Sequence, residues 1–182
     1  MSGRIPWLTL GVFGLTAVVT GAMLLRPEVG VALERDPAML HGEWWRFATT
    51  WLVETDGWSQ IAINGIGLLV FGVLVELRLG RAWWTVGYVV AGLAGEIAGL
   101  VWQPVGGGNS VAICGLIGLF SIDQLARPAG GPPRALSAVV WLAIGLWLVT
   151  RHDIHGAALM AGFVVAGVAY FTGAARQRLA AA

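Results

Sequence analysis

Ser110 and His155 are the residues of this sequence best suited to chemistry, a hydroxyl and an imidazole set in otherwise apolar stretches. An imidazole that takes the hydroxyl proton makes serine a nucleophile, able to attack a peptide carbonyl and form an acyl-enzyme. Asn64 and Gln60 carry amide donors suited to the resulting oxyanion, and their i, i+4 spacing sets them on one helix face. Each residue also has an ordinary reading. Serine is a favoured helix cap, and a histidine one turn into a helix can be a hydrogen-bonded packing residue, so spacing alone leaves both readings open.

Rival constellations find less support. Arg151-His-Asp-Ile-His155 puts His152 and Asp153 at a solvent-exposed helix start, and no His-Glu-x-x-His pattern accompanies them, which argues against a metalloprotease. Gly106-Gly-Gly108 lacks the Gly-Lys-Ser/Thr of a phosphate loop, so nucleotide binding is unsupported. His41 reads as a solvated loop residue, and Cys114 as a small buried hydrophobe rather than a second nucleophile. Glu76 and Asp123 are explained by pairing with Arg78 or Arg127, and Glu96 reads as a structural hydrogen-bonding group between helices ahead of an acid lining a water cavity.

The elements that must position these groups follow from composition. Of 182 residues 57% are hydrophobic and 12% charged, and mean hydropathy is +0.76, far above a water-soluble domain. Uncharged runs such as Ile61 to Val75 and Val139 to Val149 are helical spans by length and continuity. The pattern predicts an all-α membrane bundle, one domain over 1–182, with six helices at about 6–25, 58–77, 81–102, 110–125, 134–150 and 153–173. The first run exceeds the usual signal-peptide core and ends in Leu-Leu-Arg-Pro, so it reads as a retained span. The only long connection, residues 26–57, is charged and carries Trp44, Trp45 and Trp51, residues suited to an outer membrane interface.

Orientation follows from the arginines, which are all eleven of the basic residues. Arg4, Arg78, Arg81, Arg127, Arg134, Arg176 and Arg178 mark one side and only Arg26, Arg35, Arg46 and Arg151 the other, which predicts cytoplasmic termini. Helices two, four and six then run inward, so Gln60, Asn64, Ser110 and His155 share an outer depth. The fourth helix, at about 1.5 Å per residue, reaches roughly 24 Å against a core of roughly 30 Å, so its start is sunken. The uncharged Gln103-Pro-Val-Gly-Gly-Gly-Asn109 before it suits a segment dipping to membrane depth. Ser110 then lies below the surface, beside unpaired N–H groups and the positive end of a helix dipole. Gly95/Gly99 and Ala158/Gly162 have the small-x-x-x-small spacing of close helix pairs. A net charge of +1 gives no footing for nucleic acid, and the single cysteine excludes an internal disulfide.

In this setting the motifs resemble the rhomboid family of intramembrane serine proteases. Gly42-Glu-Trp-Trp-Arg-Phe-Ala-Thr-Thr50 is similar to the family's Trp-Arg loop through Trp45 and Arg46, and Gln60 to Gly72 to its second helix. Val75-Glu-Leu-Arg-Leu-Gly80 resembles the end of that helix through Glu76. Gly108-Asn-Ser-Val-Ala-Ile-Cys-Gly-Leu-Ile-Gly118 resembles Gly-x-Ser-Gly followed by Gly-x-x-Gly, matching Gly108, Ser110, Gly115 and Gly118. His155 precedes small residues at Ala158 and Gly162, as in the sixth helix. The resemblance implies a six-helix rhomboid-like bundle with a partly membrane-embedded first outer loop. It implies a Ser110/His155 dyad, an oxyanion site from Asn64, Gln60 and the Ser110 backbone N–H, and transmembrane protein substrates. It further implies a multi-pass protein among the lipids of a bacterial plasma membrane, with no metal or organic cofactor. Three positions depart from the pattern: Val111 replaces a glycine, Gln60 a common histidine and Cys114 a common aromatic. The pair Ser110 and His155 favours the enzyme, whereas Val111 favours a catalytically inactive relative that binds membrane partners.

Overall fold

The computed structural model describes residues 5–126 and 131–173, and among these the chain is helical without strands. Eight α-helices follow in order: α1 (Trp7–Leu25), α2 (Pro27–Leu33), α3 (Arg46–Thr49), α4 (Trp58–Leu79), α5 (Arg81–Trp102), α6 (Ser110–Ala126), α7 (Gly131–Thr150) and α8 (Ile154–Phe171). Five of them, α1, α4, α5, α7 and α8, are long and apolar enough to cross a membrane, while α6, at 17 residues, is shorter. Arg4, Arg127, Arg176 and Arg178, on which the orientation partly rests, lie outside the described residues.

The short helix is the axis of the bundle. Every residue from Val111 to Leu119 is buried, and α5, α7 and α8 pack around it. Small residues make this possible. A side chain at Gly115 would run into the Gly87 carbonyl of α5, and one at Gly118 into the backbone of Gly162 on α8, so both helices approach at backbone contact. The packing that fixes the place of Ser110 in the bundle is therefore written mainly in glycine.

α4 is one helix interrupted by a π-helical turn at Leu68–Gly72. A Cβ at Gly72 would meet Thr9 at 2.7 Å, so α1 crosses α4 closely there. Glu76 completes that crossing by accepting from Leu8 N (3.0 Å), Thr9 N (2.8 Å) and Thr9 Oγ1 (2.8 Å), with Arg81 Nε at 3.2 Å. A carboxylate at the first turn of α1 satisfies orphan N–H groups and the positive dipole end. Its cation is thus Arg81, while Arg78 pairs with Asp123 at 3.2 Å.

The outer connection is more ordered and more inward than the sequence suggests. It contains α2, a 3-10 turn at Pro37–His41, α3 and a second 3-10 turn at Thr50–Leu52. Trp44 and Trp45 are exposed, as an interfacial position requires, but Trp51 is only 7% exposed. Gly92 of α5 has no Cβ, which opens a slot for the Trp51 ring, and Tyr88 meets it edge-on at 5.8 Å. Arg46 is buried and bonded to Val31 O (2.6 Å), Glu34 O (2.8 Å) and Glu43 (2.6 Å), knitting the connection to itself. Glu96 pairs with Arg35 at 3.0 Å, so this acid ties α5 to the outer connection rather than to another helix.

Candidate active site

The serine stands at the mouth of α6 on a loop that only glycine can build. Gly106 and Gly108 have φ of +141° and +155°, outside the range of ordinary L-residues. A Cβ on Gly108 would also lie 2.6 Å from the Gln60 amide nitrogen. The outer connection grips this loop along its length. Arg35 and Gly106 exchange backbone bonds of 2.8 and 3.2 Å, Gly107 N donates to Thr55 Oγ1 (2.9 Å), and Gly108 N donates to Thr50 O (3.0 Å). Gln103, at the loop's start, accepts from Arg35 Nε (2.6 Å) through its carbonyl and from Ile154 N (3.3 Å) through its side chain. One short segment thus joins the outer connection, α6 and the start of α8.

Ser110 is the first residue of α6, and its Oγ lies 2.7 Å from His155 Nε2. The hydroxyl is turned to the imidazole, which separates it from a simple cap. His155 sits one residue inside α8, and its other ring nitrogen, Nδ1, lies 2.6 Å from Asp153 Oδ1. The same oxygen accepts from the His155 backbone N–H at 2.9 Å. Asp153 was legible only as an exposed helix start. Residues i and i+2 do not face each other within a helix, but Asp153 is the extended N-cap (φ −95°, ψ 131°), so its side chain turns back over the first turn. An Asp two residues before a candidate base was the available signal.

The two amides expected at an oxyanion site are brought to the same region and are already engaged. Asn64 Nδ2 donates to Glu54 Oε2, and the Asn109 backbone N–H donates to Glu54 Oε1 at 3.3 Å. Asn64 and the residue preceding Ser110 therefore share one carboxylate. An amide nitrogen has two hydrogens, so Asn64 keeps a second donor. Gln60 Nε2 donates to Gly107 O at 2.8 Å and to Asp56 at 3.4 Å, which makes it a brace of the glycine loop. Glu54 is 2% exposed, and burial, the largest influence, pushes its carboxyl up to about 7 against the lowering effect of the Asn109 and Asn64 bonds. Nothing local in the sequence distinguishes Glu54 from the other charges of the connection.

Val111, the most disruptive departure from the motif, has a fitted site. Its side chain is buried against α5, where a Cβ at Gly95 would lie 2.9 Å from Val111 Cβ. Missing volume on one helix matches added volume on the other. Cys114 is buried among the packed residues of α6. Trp45 donates weakly from Nε1 to Ala32 O at 3.4 Å, and Gly162 lies against the α6 backbone.

A serine–histidine contact, a glycine-built turn before a central helix and a bundle of apolar helices describe an integral membrane protein. Comparison with known proteins agrees: the rhomboid domain matches residues 41–176, and the chain belongs to the rhomboid family. Two relatives from Bacillus subtilis (strain 168) bear rhomboid-protease names. YdcA is 32% identical over 110 residues, 56% of this chain and 55% of its own length. GluP is 30% identical over 121 residues, 66% of this chain and 24% of its own length. The chain thus spans about half of one relative and a quarter of the other.

Proposed function

We propose that the protein is an intramembrane serine endopeptidase that cleaves membrane-anchored protein substrates, with Ser110 as nucleophile and His155 as general base. The observation that carries this reading is the 2.7 Å separation of Ser110 Oγ and His155 Nε2, within reach of direct proton transfer. His155 takes the Ser110 proton as Oγ adds to the substrate carbonyl carbon, giving a tetrahedral oxyanion. Collapse breaks the C–N bond, the amine leaves with the proton from Nε2, and water repeats the cycle in reverse roles to release the acyl group. The backbone N–H of Ser110 and the spare N–H of Asn64 are the oxyanion donors. Gln60 supports them by holding the glycine loop.

In this reading α6 also crosses the membrane, as the fourth span of six in chain order and sunken at its outer end, and both termini are cytoplasmic in a bacterial plasma membrane. The outer connection and α7, the helix with the least buried face among the candidate spans, admit the substrate helix. The alternative, a binding protein without activity, rests on Val111. The match of Val111 to Gly95 supplies room for that side chain within the packing and weakens this alternative. The test is cleavage of single-span peptides carrying a fluorophore and quencher, reconstituted in vesicles with the protein. Cleavage by the native chain and its loss in Ser110→Ala and His155→Ala are expected. Peptide binding with no cleavage by the native chain across the panel is the result expected of the binder.

A further inference from the structure

Resting on the dyad just proposed, we infer that Asp153 is a positioning residue that extends it into a serine–histidine–aspartate relay, fixing the tautomer of His155 and pairing with its cation. The inference stands on two contacts along one line: Ser110 Oγ to His155 Nε2 at 2.7 Å, and His155 Nδ1 to Asp153 Oδ1 at 2.6 Å. A carboxylate only accepts hydrogen bonds, so Nδ1 must carry the ring hydrogen. Nε2 then presents its lone pair to the serine, the tautomer a general base needs. Asp153 lies just before α8, and its hydrogen bond from His155, the largest influence, holds the carboxyl below the ordinary aspartate range. It is therefore ionised at neutral pH, when the base must work.

When His155 takes the Ser110 proton, the ring gains a positive charge beside that carboxylate, and the charge returns to zero when the leaving amine carries the proton off. Attraction to Asp153 therefore stabilises the state in which the proton resides on Nε2. Asp153 keeps its charge throughout and takes up no proton. The other ionisable groups near the ring are few. Glu96 of α5 lies within Coulomb range, but its charge is shared with Arg35. Cys114 lies on α6, α7 has no ionisable residue beyond Arg134, and Arg151 and His152 are exposed in the turn before α8.

The competing role is structural, since the same oxygen caps α8 through the His155 backbone N–H. The two roles part on substitution. Asn and Ser are good caps but carry no charge, whereas Ala is neither cap nor charge. The experiment follows the rate of inactivation by a fluorophosphonate across pH, together with thermal unfolding, for the native chain, Asp153→Asn, Asp153→Ser, Asp153→Ala and Ser110→Ala in detergent. Expected are near-native unfolding temperatures for Asp153→Asn and Asp153→Ser, with inactivation slowed by about tenfold or more. The pH profile of inactivation should also depart from the native one as the imidazolium loses its partner. Native rates and an unchanged pH profile in Asp153→Asn and Asp153→Ser, with a fall only in Asp153→Ala that tracks its unfolding, overturn the inference and leave a cap. Labelling that persists in Ser110→Ala instead removes the dyad itself, a distinguishable failure.

Discussion

Glu54 is the side chain whose behaviour depends most on its surroundings. It is buried, accepts from Asn64 and the Asn109 N–H, and has its carboxyl raised to about 7. An acid with a folded-state pKa above its unfolded value binds more protons folded than unfolded, so its contribution to stability falls as pH rises from about 4.5 through about 7. At about 1.4 kcal/mol per unit this amounts to roughly 3 kcal/mol. Glu54→Gln, which preserves an acceptor for Asn64, is expected to flatten the difference in unfolding temperature between pH 5 and pH 8. An undiminished difference assigns the slope to another group. The residue scale also separates what a sequence can mark as a candidate from what it cannot. Ser110 and His155 were legible because polar groups are costly in apolar helices. Asp153 and Glu54 were not, because their significance lies in a cap that turns backward and in a loop folded into the bundle, neither of which has a periodicity.

At the scale of elements, the contact between α5 and α6 joins the motif's departure to its accommodation. Gly95→Ala pushes a methyl to within 2.9 Å of Val111 Cβ, between two packed helices. Overpacking of this kind costs about 1–3 kcal/mol. Val111→Gly alone leaves a void and puts a flexible residue into the first turn of α6, and is also destabilising. The pair Gly95→Ala with Val111→Gly is expected to lose less than the sum, and a double-mutant cycle of unfolding free energies measures the coupling. Strict additivity would mean that the two positions do not share their space. The small-x-x-x-small spacing pointed to Gly95 as a close-approach residue from sequence alone, but which helix it received, and that Val111 filled the place, required the fold.

At the scale of the whole molecule, the outer connection is the scaffold of the site. Arg35 holds Gly106 through its backbone and Gln103 and Glu96 through its side chain, so one residue joins the connection, the glycine loop and α5. Removing one member of a buried pair strands the other, typically at about 3–5 kcal/mol. Glu96→Ala is therefore expected to lower the unfolding temperature and to slow active-site labelling, whereas Arg35→Met with Glu96→Leu recovers stability but not full labelling, since the Gln103 contact is gone. Equal labelling in all of these variants would detach the loop from the site. The helical bundle itself was readable from hydropathy and glycine spacing. The inward course of the connection was not, since charged residues read as solvated until their partners are seen, and a tryptophan reads the same at an interface as in a slot.

The most direct measurement is mass spectrometry of the detergent-solubilised protein after exposure to a fluorophosphonate. One adduct is expected, on Ser110, formed by the native chain, abolished in Ser110→Ala and strongly slowed in His155→Ala. No adduct on Ser110 in folded native protein, or an adduct whose rate ignores His155, would contradict the dyad.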